Sequence, residues 1–319
     1  MEKKNISIIV PGGLNTDIIG LGMDRIVGIG ESASGGTLKI GPGGKSRNIA
    51  QMMAEFIGPE KVAMIAKTCK DKYGLWKPPY DALERAGVNT DYIEIIEEEG
   101  KYPGIALIPV DKKGRNQIYV LPGITGDFTE SDIDNAEEIF KIASRNNGLM
   151  ALSLEMPLKT AIYAVKKANE NGLKVILDPG GMAEDKSYDE LLNQNIYLIK
   201  PNEHEAKMLT GVEITDIESA KEAYRIFHTQ GIKNVLITAG ENGAFLITPD
   251  LAKHIPIANI KSSNIKDTTG CGDQTMAVLS ALIFEGKDLL EAAKKATFAG
   301  ELQFHRVGIV PVTSDDLKR

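Results

Sequence analysis

The chain has 319 residues, enough to bury a large core, and its charged fraction of 25% and hydrophobic fraction of 42% are those of an ordinary globular protein. A formal charge of −7 excludes a general attraction to nucleic acid or to an anionic membrane. Cys69 and Cys271, far apart in sequence, make neither a disulfide framework nor a metal-ligand cluster.

Lys3 and Lys4 precede a short apolar run, Ile6 to Val10, that stops at Pro11-Gly12-Gly13. The run is too short for a signal peptide or a membrane span, so the expectation is a buried strand in a cytoplasmic protein. Residues 15–42 are rich in glycine and strand-like pieces and lack a helical period. Beyond them Ile49, Met52, Met53, Phe56 and Ile57 fall on one helix face. Val62 to Ala66 reads as a strand. Residues 101–121 read as a hairpin, Gly104 to Val110, then the turn Asp111 to Gly114, then Arg115 to Val120. Ile105, Leu107, Ile118 and Val120 are expected to form its apolar side. Leu149–Leu154, Val175–Asp178, Ile196–Lys200 and Val235–Thr238 are further strands, separated by helical patterns at 159–171, 203–209 and 216–230. This alternation predicts one α/β domain over 1–319, a mostly parallel sheet with helices on both faces and ligands beyond its carboxyl ends. Segments 15–42 and 101–121 fit no βαβ unit, and we expect them to form a small β-sheet lid.

Two glycine loops carry the chemistry. Gly41-Pro-Gly-Gly-Lys-Ser-Arg-Asn48 ends like a Walker A loop, but the position five before Gly44 is Lys39 rather than glycine. In Asp267-Thr-Thr-Gly-Cys-Gly-Asp273, glycines flank Cys271, and the chain is then almost continuously apolar from Thr275 to Phe284. A glycine loop opening into a buried helix offers unpaired backbone N–H groups and the positive end of the helix dipole to an anion. A carboxylate beside that cradle can take a proton from an attacking hydroxyl, which is what phosphoryl transfer to an alcohol needs. Taken alone, the same residues also describe a glycine turn with an aspartate N-cap before a core helix.

The 267–273 segment closely resembles the C-terminal signature of the ribokinase-like (PfkB) family of carbohydrate kinases, and 41–48 resembles its N-terminal signature. The similarity runs over most of the chain with its elements in the family's order. It implies a three-layer αβα sandwich and an ATP-dependent kinase acting on a primary hydroxyl, with Asp273 as base and Gly270, Cys271 and Gly272 as anion hole. By the same resemblance Asn15, Asp17, Gly43, Gly44, Lys45, Asn48 and Glu155 face the sugar, and Asn202, Thr238, Gly240 and Gly243 face ATP. Glu205 would act on Mg2+ through water, and Asp267 and Thr269 would hold a monovalent cation, K+ in many members. The 41–48 loop is therefore expected on the sugar rather than on ATP phosphates.

Ribose leads as substrate, with a nucleoside, a ketose such as fructose, or a sugar phosphate as alternatives, and a non-catalytic sugar-binding regulator as the reading from another class. A homodimer through the lid is expected, and neither nucleic acid nor membrane as partner. His204 matches no role and is expected at the surface. Arg47 replaces a small residue of the family and reads as a solvated helix-start residue, or else as a contact to an anionic group of a larger substrate. Cys271 stands for an alanine, and Gln274 for a small or apolar residue. Gly300 stands where an asparagine often lies near adenine, which bears on nucleotide preference.

Overall fold

The computed structural model describes residues 5–260 and 267–318. In chain order the first half holds β1 (Ile8–Pro11), β2 (Asn15–Met23), β3 (Gly35–Gly43), α1 (Lys45–Ile57), β4 (Val62–Cys69), α2 (Lys77–Arg85), β5 (Ile93–Ile96), β6 (Gly104–Asp111) and β7 (Tyr119–Leu121). Then come α3 (Glu130–Asp134), α4 (Glu137–Arg145), β8 (Leu149–Ser153), α5 (Leu158–Glu170), β9 (Lys174–Asp178), α6 (Asp189–Leu192) and β10 (Leu198–Ile199). The last part holds α7 (Glu203–Thr210), α8 (Ile217–Thr229), β11 (Asn234–Thr238), β12 (Ala244–Ile247), β13 (Ala252–Ile255), α9 (Cys271–Phe284) and α10 (Leu289–Phe304). The expected strands and helices are all present, although 196–200 forms a strand only at Leu198 and Ile199.

Nine strands make the main sheet in the order β13-β12-β11-β10-β9-β8-β1-β4-β5. It is parallel from β5 to β11, and only β12 and β13 run antiparallel. Its strands read as unbroken apolar runs because both faces are covered. Successive residues point to opposite sides, so Ile9, Met150 and Leu152 pack with Phe140, Val165 and Phe227 of α4, α5 and α8. Ile8, Val10, Leu149 and Ala151 pack instead with Ile49, Met276, Leu279 and Ala296 of α1, α9 and α10. α9 lies between α1, α10 and the sheet, and so is buried on all sides from Asp273 to Ile283. No helix among the described residues is long and apolar enough to cross a membrane.

A second, four-stranded sheet has the order β3-β2-β6-β7 and is built from the two segments that fit no βαβ unit. β2 pairs antiparallel with β3 and parallel with β6, and β6 pairs antiparallel with β7. The register corrects one expectation. Ile105 is opposite Leu121 and Leu107 opposite Tyr119, whereas Val120 is opposite Ala106. Because cross-strand partners share a face, Val120 lies on the side opposite Ile105 and Leu107. The Asp111 N–H donates to the Arg115 carbonyl, so Asp111 belongs to the ladder rather than to the turn, and the second strand is shifted by one residue. Leu38, Ile40, Leu107, Tyr119 and Leu121 thus form an exposed apolar face.

Candidate active site

The carboxyl ends of β1, β8, β9, β10 and β11 open on one side of the main sheet, where α/β ligand sites collect. β1 ends in Gly12-Gly13, and α1 starts directly above it. Gly44 caps α1 with φ 92°, and a Cβ there would come within 2.8 Å of the Gly13 carbonyl, so only glycine permits this crossing. Ser46 Oγ lies 3.0 Å from the Pro11 carbonyl and 2.8 Å from Ser153 Oγ, which ties the first turn of α1 to the ends of β1 and β8. Just past β8, Glu155 Oε2 accepts the Lys45 backbone N–H at 2.7 Å.

α9 starts from the facing direction. Gly270 caps it with φ 73°, and a Cβ at that position would meet Ile309 at 2.5 Å. Asp273, 4% exposed, stands in the first turn of α9. Its Oδ2 accepts Asn48 Nδ2–H at 2.7 Å, and its Oδ1 lies 3.4 Å from Lys45 Nζ. Two loops more than 200 residues apart in sequence therefore meet at one carboxylate. Asp17 packs against Gly43 so closely that a Cβ there would fall 1.8 Å from Asp17 Oδ1. Asn15 Oδ1 is buried beside Gly104 without a hydrogen-bond partner among the described residues. Asp17, Gly43, Gly44, Lys45, Asn48, Glu155 and Asp273 are thus gathered around a single space.

Three carboxylates and two cations share that space, and burial sets their electrostatics. Burial pushes the Asp17 carboxyl up to about 7, Arg47 opposes the rise, and the charges of Glu155 and Asp273 add to it. Burial also raises Glu155, against the pull of Lys45. The Asp273 charge holds the Lys45 ammonium well above its ordinary range despite burial. Burial pushes the Cys271 thiol up to about 12, with Asp267 and Asp273 contributing, so at neutral pH it is a protonated thiol.

Arg47 is the main correction to the site. It is fully buried rather than solvated, and burial lowers its guanidinium to about 10 against the pull of Asp17, Asp273 and Glu155. It donates to the Gly43 carbonyl at 3.2 Å and the Pro42 carbonyl at 3.0 Å, and also to Gln51 and to Asn48 Oδ1. These bonds occupy four of its five N–H donors, which leaves it unable to clamp a further anionic group. The i, i+3, i+4 reading of α1 places position 47 off the apolar stripe, and no local period records that Asp17 and the end of β3 lie against that side. His204 is exposed, as expected.

Asn202, Thr238, Gly240 and Gly243 lie at and just beyond the carboxyl ends of β10 and β11. Asn202 and Thr238 sit side by side across adjacent strand ends, and Gly240 and Gly243 bound the turn between β11 and β12. Asn202 and Glu205 form a reciprocal cap at the start of α7: Glu205 Oε2 accepts the Asn202 N–H and Asn202 Oδ1 accepts the Glu205 N–H, both at 2.8 Å. Burial raises the Glu205 carboxyl, and the Asp178 charge raises it further. A raised carboxyl next to a second carboxylate suits a hard cation held through water. Among the described residues no group of three or more His, Cys, Asp and Glu side chains could hold a metal ion. A cavity of about 320 Å³ lies beyond Gly243, lined by His254, Ile255, Pro256, Ala258 and Phe298 among others.

Sequence reasoning missed one buried pair here. Lys200 Nζ lies 2.9 Å from Asp178 Oδ2, with the two side chains 3% and 2% exposed. Burial pushes the Asp178 carboxyl up, but the charges of Lys200 and Lys45 outweigh it and hold the acid below its ordinary range. A Cβ on Gly272 would lie 3.6 Å from Lys200 Nζ, so this cation sits beneath the start of α9. The signal was available: a lysine and an aspartate each ending an apolar strand are costly to bury unless they pair.

Asp267 and Thr269 lie in a tight loop ahead of α9. Asp267 Oδ1 accepts the Thr269 N–H at 2.9 Å and Oδ2 accepts the Gly308 N–H at 2.8 Å. Burial would raise this carboxyl, yet those N–H groups hold it below its ordinary range, so it is charged. Gln303 Nε2 donates to the Thr269 and Gly308 carbonyls, which closes the loop with an amide. Gly300 lies where α10 crosses α9. A Cβ on it would meet Thr275 Oγ1 at 2.4 Å, so the glycine lets α10 approach α9. Gln274 is buried and accepts the Val312 N–H at 2.8 Å, tying α9 to the C-terminal segment.

The profile of the pfkB family carbohydrate kinases matches residues 7–313, a span that includes both glycine loops and the second sheet. The chain belongs to that family. It is 32% identical to a ribokinase of Haemophilus influenzae over 302 residues, covering 95% of this chain and 93% of that one. It is 29% identical to a deoxyribokinase of Salmonella typhi over 267 residues, 84% of this chain and 82% of that one. Among solved structures, Arabidopsis thaliana ribokinase complexed with ribose and ATP superposes with a TM-score of 0.84 at 28% identity, covering 98% and 97% of the two chains. The ribokinase-like fold expected from the motifs is the fold observed, and the chain is a carbohydrate kinase.

Proposed function

We propose that the protein transfers the γ-phosphoryl group of ATP to a primary hydroxyl of a sugar, with ribose as the leading substrate. The observation that carries this reading is the convergence of the two glycine loops on Asp273, which puts a buried carboxylate between a polar pocket and a helix-start anion cradle. The Haemophilus influenzae and Arabidopsis thaliana relatives are ribokinases, which supports ribose. The Salmonella typhi relative is a deoxyribokinase, and 2-deoxyribose is the second reading. Arg47 has its donors engaged within the protein, which tells against a sugar phosphate.

In this reading Asn15, Asp17, Gly43, Gly44, Lys45, Asn48 and Glu155 bind the sugar hydroxyls. A carboxylate such as Asp17 accepts two or more of them, which holds the acceptor hydroxyl at Asp273. Asp273 takes the hydroxyl proton as the oxygen attacks, while the N–H groups of Gly270, Cys271 and Gly272 hold the phosphate oxygens. Lys45, already paired with Asp273, supplies positive charge on the same side. Asn202, Thr238, Gly240 and Gly243 hold the nucleotide, and the cavity beyond Gly243 takes the base. Glu205 holds Mg2+ through water, and when bound this ion neutralises the charge on the transferring phosphates. Asp267 and Thr269 are the candidates for K+, although Gln303 already orders their loop.

The four-stranded sheet acts as a lid inserted in a single domain, closing over the sugar to exclude water from the γ-phosphate. Its exposed apolar face pairs with the same face of a second copy.

The test is nucleotide consumption with Mg2+ and K+ on a panel of ribose, 2-deoxyribose, fructose, nucleosides and fructose phosphates. Turnover of ribose well above the rest is expected. A preference for 2-deoxyribose supports the second reading, and binding without turnover supports a non-catalytic regulator.

A further inference from the structure

We propose that Arg47 is a positioning residue for the catalytic base and acts through the side chain of Asn48. The idea rests on the kinase reading above, in which Asp273 is that base.

A guanidinium only donates hydrogen bonds, whereas an asparagine amide donates from one end and accepts at the other. Arg47 is fully buried, and its Nη2 donates to Asn48 Oδ1 and, at 3.0 Å, to the Pro42 carbonyl. Its Nε donates to the Gly43 carbonyl at 3.2 Å. With Oδ1 drawn to the guanidinium, the NH2 end of Asn48 must face the other way. It donates from there to Asp273 Oδ2 at 2.7 Å. A flipped amide would set Oδ1 against the carboxylate oxygen, two acceptors with no proton between them, and would leave the Asn48 NH2 facing a group that cannot accept. Arg47 therefore decides which end of Asn48 the base meets.

The same side chain fixes the sugar loop. Pro42 and Gly43 end β3, and Gly43 is the residue against which Asp17 packs. One cation thus holds the loop under Asp17 and the amide beside Asp273. Its charge also opposes the burial of Asp17, Asp273 and Glu155, which is the compensation a fully buried guanidinium requires.

A double-mutant cycle tests it. Wild type, Arg47→Met, Asn48→Ala and the double variant are compared on the best sugar of the panel with Mg-ATP, and sugar binding is measured by calorimetry without nucleotide. We expect Arg47→Met to lower kcat/KM by about tenfold or more, Asn48→Ala to lower it at least as much, and the double variant to stay within about threefold of Asn48→Ala. Multiplying losses would show that Arg47 acts independently of Asn48 and would overturn the relay. So would a wild-type kcat/KM in Arg47→Met. If Arg47→Met is insoluble, Arg47→Lys takes its place under the same criterion, because a lysine cannot hold both carbonyls and the amide. Wild-type turnover, with its loss in Asp273→Asn, tests the kinase reading separately, so an additive cycle on an active enzyme counts against the relay alone.

Discussion

Lys200 and Asp178 form an ion pair of 2.9 Å in which both side chains are almost wholly buried, at the ends of neighbouring strands β10 and β9. Desolvating two charges costs several kcal/mol, and here the pair and the Gly180 N–H to Asp178 Oδ1, at 2.8 Å, compensate it. Removing one partner strands the other. Lys200→Met is expected to lower unfolding stability by about 3–5 kcal/mol, the usual cost of orphaning a buried charge. The double change Lys200→Met with Asp178→Asn should recover a substantial part of it. Urea unfolding of wild type, the single and the double variant checks this, and a double variant no better than the single would show that the pair is not what the lysine contributes.

The base assignment has its own test. Asp273→Asn keeps the shape of the side chain but cannot accept a proton from the sugar. Turnover should fall by about 10²-fold or more, while the sugar still binds and the melting temperature changes little. Calorimetry and steady-state kinetics together decide, and a variant with wild-type turnover would move the base elsewhere.

Asp17 gives a pH dependence with a definite sign. Its carboxyl is pushed up to about 7 by burial, so near neutrality the unliganded pocket holds a mixture of acid and carboxylate. If the carboxylate binds the sugar hydroxyls, sugar affinity should improve as pH rises through about 7 and level off above it. Stability runs the opposite way. A raised folded-state pKa means that the folded protein holds its proton more tightly than the unfolded chain. That contribution is complete below the ordinary value of 3.8 and is lost as pH rises through about 7. Asp17→Asn should therefore melt higher than wild type at pH 8 while losing sugar affinity. A melting temperature that tracks wild type across the range would contradict the burial argument.

How far the sequence went follows from the kind of signal each feature leaves. Ile49, Met52, Met53, Phe56 and Ile57 announce α1 because a buried helix face repeats every three to four residues. The glycine loops were legible because a close backbone crossing leaves few residue choices, as at Gly44 and Gly270. Arg47 was not. Its burial depends on which distant segment packs over it, and no local period records that. The hairpin register failed for a related reason: it depends on the loop between β6 and β7, and one residue of slip inverts the faces.

Cys271 stands at the start of α9, where many thiols are acidic. Here burial and the nearby Asp267 and Asp273 push it up to about 12. We expect it to resist iodoacetamide at pH 7.5, with activity retained over hours, because the thiolate is the reactive form. Mass spectrometry reads the extent of alkylation. Rapid labelling that substrate suppresses would place an ionised thiol in the site instead.

The last prediction concerns the second sheet. Leu38 is 66% exposed, Tyr119 54%, Leu121 49%, Ile40 47% and Leu107 38%, and the register puts all five on one face. An apolar face of that breadth is costly to leave in water and marks a contact surface. A β-sheet edge or face left open also invites uncontrolled pairing, which a symmetric partner prevents. A second copy is the simplest occupant, since an isologous contact sets the same apolar patch against itself. We therefore expect a homodimer in sedimentation at micromolar concentration. Leu38→Asp, on the face of the second sheet opposite Asp17, should place a charge in the contact and shift the protein to monomer without unfolding the main sheet. It should also weaken sugar binding if the paired lids help to close the pocket. A wild-type protein that sediments as a single species at the monomer mass would reject the dimer. It would leave the lid folding over its own domain, and would favour a nucleoside over a free sugar.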